Sequence, residues 1–120
     1  MDKQTVYVGS LVGGSGFTQD LRREVVFVGE RLATRTEYGH SDRTDAITDT
    51  RGTTETLYRT EDGRLVVYIE EWSRWQGEPN EYRLVEVGEA DLTPGGRFEA
   101  LGNEAGLGRP LTLGEALADA

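Results

Sequence analysis

Thr54–Trp72 reads TETLYRTEDGRLVVYIEEW, and the way this stretch folds back on itself decides the architecture. Thr54–Thr60 and Leu65–Trp72 are rich in β-branched and aromatic residues, and Glu61-Asp62-Gly63 between them carries turn chemistry. A two-residue Asp62-Gly63 turn would pair Glu61 with Arg64 and set Glu55 opposite Glu70. A three-residue loop, type I with Gly63 in the left-handed bulge position, pairs Thr60 with Arg64 instead. It sets Leu57 opposite Val67, Tyr58 opposite Val66 and Glu55 opposite Ile69. Like charges directly across a ladder repel, so the second register is expected. Leu57, Leu65, Val67 and Ile69 then share one face, and Tyr58, Val66 and Tyr68 the other. Neither face is polar before Glu70, so the hairpin is expected to be central in its sheet, or covered on both sides.

Working outward, Thr5–Val8 reads as a short strand ending at Gly9, followed by a glycine-rich loop over Leu11–Phe17. Thr18–Arg23 is open between a helical turn and a lead-in. Glu24–Val28 is a second strand, continued to Thr36 past a bulge at Gly29. Residues 37–53 form a polar run, expected to be a long loop. Glu81–Val87 is a fifth strand. Glu89–Leu92 suggests one helical turn, Arg97–Ala105 carries Phe98, Leu101 and Ala105 at helical spacing, and Thr112–Glu115 matches a capping box. The expected fold is a single α+β domain over residues 1–120. It has a mostly antiparallel sheet of five strands, and a helical tail over 89–120 packed on or beside it.

Composition narrows the chemistry. The chain has no cysteine, which removes disulfides, thiolate metal sites and thiol nucleophiles. It shows no apolar run of membrane-spanning length and no apolar leader, so a cytoplasmic protein without membrane contact is expected. The net charge of −9 is uneven: residues 1–60 hold 8 basic and 9 acidic residues, and residues 61–120 hold 5 and 13. An acidic second half repels phosphate backbones, which argues against nucleic acid and favours a basic protein partner. His40, the single histidine, sits beside Ser41 and Asp42, and sequence neighbours rarely adopt triad geometry. Glu70, Glu71, Glu78, Glu81 and Glu86 are abundant carboxylates, and read as an acidic surface.

Two binding readings follow. In the first, the chain is a non-enzymatic module whose contact surface is Tyr68, Glu70, Glu71, Trp72, Arg74, Trp75 and Glu78, since Trp, Tyr and Arg are enriched at binding hot spots. Trp72 is expected to serve mainly the core, and Trp75 is open between core and surface. In the alternative, a small ligand or divalent metal binds at Gly13–Gly16, a possible anion nest, or on the 37–53 loop with Asp42, Asp45 and Asp49. No cofactor is implied.

Glu55–Tyr68 (ETLYRTEDGRLVVY), with Val25–Ala33 (VVFVGERLA) upstream, resembles a pattern in small bacterial proteins of the EXLDI type and short reading frames of mobile elements. The likeness covers about a third of the chain, whose C-terminus reads RPLTLGEALADA where that group carries its EXLDI signature. It implies a small accessory protein, a regulator or inhibitor encoded on a mobile element, and carries no catalytic residues.

Overall fold

The computed structural model describes residues 1–14, 17–40, 47–73 and 79–107, together with Leu113 and Leu117. Among them six strands are followed by two short helices: β1 (Asp2–Gly14), β2 (Phe17–Asp20), β3 (Arg23–His40), β4 (Ile47–Thr60), β5 (Leu65–Ser73), β6 (Asn80–Val87), α1 (Glu89–Leu92) and α2 (Glu99–Glu104). Every pairing is antiparallel, as expected. No helix among the described residues is long and apolar enough to cross a membrane.

The β4–β5 hairpin adopts the register that keeps Glu55 away from Glu70. Leu57 faces Val67, Tyr58 faces Val66 and Glu55 faces Ile69. Thr60 N–H donates to the Arg64 carbonyl at 2.8 Å, and Gly63 takes φ +86°, the left-handed conformation that its lack of a Cβ permits. Each face of the hairpin enters a different core. Leu57, Val67, Ile69 and Val87 pack against Leu92, Phe98 and Leu101 of the helical tail. Tyr58 and Tyr68 pack on the other side against Val6, with Val25, Phe27, Val66, Tyr82 and Leu84 around them.

The second core exists because the sheet closes on itself. Its order is β2-β1-β3-β4-β5-β6, and β1 also pairs with β6. β1 is held along one edge by β3 and then β2 in a single continuous register, and part-way along it gains β6 at its other edge. Asp2–Val8 pair with β3, and Gly9–Leu11 with β6. The pairing with β6 begins at Gly9, whose φ is +132°, where a Cβ would sit 2.7 Å from the Leu21 carbonyl oxygen. β3 is the strand that changes partners: residues up to Gly29 pair with β1, and residues from Gly29 onward with β4. β1 and the first half of β3 thus form a roof over β4, β5 and β6. Tyr68 spans the gap, its hydroxyl donating to the Tyr7 carbonyl at 2.7 Å and accepting from Tyr7 N–H at 3.3 Å.

Three expectations are corrected. There are six strands rather than five, because Leu11–Gly14 and Phe17–Asp20 pair as a hairpin where a loop and a lead-in were expected. The ladder runs through Gly29 without interruption and slips between Arg31 and Ala33. Gly29 is instead a close-packed position, where a Cβ would lie 2.7 Å from the Arg59 carbonyl oxygen. The polar run 37–53 is not one long loop: Glu37 faces Thr53, Tyr38 faces Gly52 and His40 faces Ile47. Threonine-rich strands with solvated outer faces can be polar throughout, which conceals them from a hydrophobicity reading. The two tail helices lie near their expected places. The capping box at Thr112–Glu115 falls outside the described residues, apart from Leu113.

Candidate partner-binding strip

Beyond the roof, the inner face of β3, β4 and β5 is an open strip built in rungs. Tyr38, Gly52 and Trp72 form the outermost rung and Thr36, Thr54, Glu70 and Tyr82 the next; in the rung after, Thr34, Thr56, Tyr68 and Leu84, the strip ends as Tyr68 and Leu84 pass beneath the roof. Side chains of one rung project to the same side, so the register alone brings together residues far apart in sequence.

Each member is held in place. The Trp72 ring lies over Gly52, where a Cβ would collide with the indole. Its Nε1–H donates to Thr54 Oγ1 at 3.2 Å, and Tyr38 meets it edge to face with ring centroids 5.9 Å apart. Thr36 and Thr54 hydroxyls lie 3.1 Å apart, as do those of Thr34 and Thr56. Glu70, half-buried between Thr54 and Tyr82, has no hydrogen bond or ion pair to the described residues. Burial pushes its carboxyl pKa above the usual glutamate value, with no compensating cation. At the end of the sheet a cleft of about 360 Å³ opens beside Tyr38 and Trp72, with Arg51 as well as Glu37, Glu71 and Glu81 in its lining.

The structure divides the residues expected to bind a partner. Glu70 and Trp72 share the strip. Trp72 is half-buried, so its ring serves both packing and surface. Tyr68 lies on the same face but is only 7% exposed, beneath the roof with its hydroxyl committed to Tyr7. Glu71 points to the opposite face, where it accepts from Arg83 Nη2 at 2.6 Å. Arg74, Trp75 and Glu78 lie outside the described residues. So do Ser15 and Gly16 of the glycine run, and Asp42 and Asp45 of the metal reading. The strip adds Tyr38, Thr54 and Tyr82, which the sequence reading passed over. Thr34, Thr36 and Tyr38 stand at period two, and that alternation was the available signal.

A second cluster fastens the seam where β1 meets β6. Ser10 Oγ donates to Glu81 Oε2 at 2.5 Å. The Arg22 guanidinium lies 5.1 Å from the Tyr7 ring centroid and 5.2 Å from that of Tyr82, and pairs with Asp20 at 3.0 Å. Hydrogen bonds from Arg22 lower the Asp20 pKa to about 2. Tyr82 in turn stacks on Tyr68. These groups satisfy one another, so the seam reads as a fastening.

The chain matches no protein-family model, no curated protein and no solved structure.

Proposed function

We propose that this protein is a non-enzymatic binding module that takes a basic segment of a protein partner along the Tyr38–Glu70–Trp72 strip. The observation that carries this reading is Glu70, a half-buried carboxylate without a partner among the described residues, set beside an exposed tyrosine and a tryptophan. An arriving lysine or arginine would supply the missing countercharge and lie against the aromatic rings, a favourable position for a cation. The net charge of −9 would steer such a partner toward it. The resemblance to mobile-element proteins adds that binding serves to regulate or inhibit the partner. The absence of cysteine suits a cytoplasmic setting.

Affinity capture from the host's lysate, at low and high salt, tests the reading. The wild-type chain is expected to retain a basic protein that salt releases. Glu70→Gln and Trp72→Ala, each confirmed folded by circular dichroism, are expected to lose it. Undiminished capture by both variants would refute the strip as the contact surface.

A further inference from the structure

At the opposite end from the strip, the closed sheet opens again beside the β4–β5 turn. The opening leads into a cavity of about 650 Å³ walled by Val25 and Phe27 of the roof and by Val66 and Leu84 of β5 and β6. Its volume is that of a small-molecule site, and the mouth of a closed sheet is a common place for one. The four wall residues are packed on the inner core of Val6, Tyr58 and Tyr68, yet each stays only partly buried. Apolar surface facing an opening in this way gains free energy when an apolar guest removes it from water.

The rim decides the charge of that guest. Glu61 and Asp62 line the mouth with Thr60 and Arg64. Arg64, the sole cation among the described residues of the lining, is engaged by Asp62 at 3.1 Å and stands 3.9 Å from Glu86. The Thr60 hydroxyl, and then Arg64, hold the Asp62 carboxyl below the usual aspartate range, so it stays ionised. Glu61 has no ion pair among the described residues. An anionic headgroup would therefore meet surplus negative charge, and an ammonium would meet an unpaired carboxylate.

We infer that the mouth beside the β4–β5 turn binds a small apolar amine, with its hydrocarbon body between Phe27 and Leu84 and its ammonium at Glu61 and Asp62. The site is separate from the strip and does not depend on the partner reading.

The test titrates the full chain with phenethylamine, its anionic counterpart 3-phenylpropionate and the neutral phenethyl alcohol, followed by methyl NMR. The amine is expected to shift the Val25, Val66 and Leu84 methyls saturably. The anion should bind about tenfold more weakly, as two surface charges of the wrong sign imply. Glu61→Gln combined with Asp62→Asn, both at exposed positions, should reduce the amine's affinity toward that of the alcohol. Val66→Phe, confirmed folded, should fill the cavity and abolish the shifts. Absence of methyl shifts at millimolar amine would overturn the inference, as would equal binding of the anion. Shifts confined to the Thr36 and Thr54 methyls would overturn it too, since they would place the amine on the strip. Nuclear Overhauser contacts from Leu113 or Leu117 to Leu84 in the free protein would likewise overturn it, since the chain's own tail would then fill the mouth.

Discussion

Glu70 carries a cost that its neighbours do not offset. A carboxyl whose pKa is higher in the folded than in the unfolded chain favours folding in its protonated form. The stability associated with it is fully present below the unfolded pKa and is lost as pH rises through the folded one. Glu70→Gln is therefore expected to raise the melting temperature at about pH 7 and to leave it unchanged at about pH 3, where wild type and variant are both neutral at this position. Thermal unfolding followed by circular dichroism at the two pH values checks this. A fall in melting temperature at neutral pH would mean that the carboxylate is compensated after all. The same residue links proton and partner: a bound cation stabilises the ionised form, so partner affinity should strengthen as pH rises through the Glu70 pKa.

Among the elements, the β4–β5 hairpin and the tail show how far sequence reasoning reached. The register followed from one unfavourable pair, Glu55 against Glu70, and from Gly63. Both act locally and both appear in the sequence. The pairing of β1 with β6 had no such marker, because nothing near Gly9 names a partner some 70 residues away. Likewise Glu70 and Trp72 were recognisable by type, whereas Tyr38 reaches them only through a register set by two neighbouring strands. The burial of Tyr68 was not legible, because it depends on the roof that closes over it. Gly102 shows the opposite misreading. It weakens the helical pattern of 97–105, yet in α2 it is buried where a Cβ would collide with the Leu92 carbonyl oxygen and carbons of α1. Gly102→Ala gains helix propensity, but must push α1 from the sheet. It is expected to destabilise the protein by about 1–3 kcal/mol, the usual cost of overpacking. Urea unfolding would show this as a lower midpoint at unchanged m-value, and a stabilised variant would mean that α1 and α2 can separate freely.

For the molecule as a whole, two cores share the β4–β5 hairpin, and they depend on different kinds of contact. The outer one is aliphatic but for Phe98, with Leu57, Val67, Ile69, Leu92 and Leu101 almost fully buried. The inner one is aromatic and relies on Tyr68 to tie the roof to the floor. Tyr68→Phe keeps the ring and removes the hydroxyl that serves both backbone groups of Tyr7. The expected loss is about 1–2 kcal/mol, the scale of a buried hydrogen bond whose partners are left behind. Hydrogen exchange should locate it, with faster exchange in β1 and the first half of β3 while the helical side stays protected. Uniform loss of protection would show that the two cores open together.

Gly9 has a consequence for the behaviour of the protein in a crowded solution. A strand left without a neighbour offers its amides and carbonyls to any passing chain, and such borders seed self-association. By turning at Gly9, β1 covers the Asn80–Tyr82 border of β6 with the chain's own backbone. A single glycine thus withholds a pairing surface from other molecules. A residue there that could not follow the turn would leave two complementary borders exposed on each molecule, the one on β1 fitted to the β6 of the next.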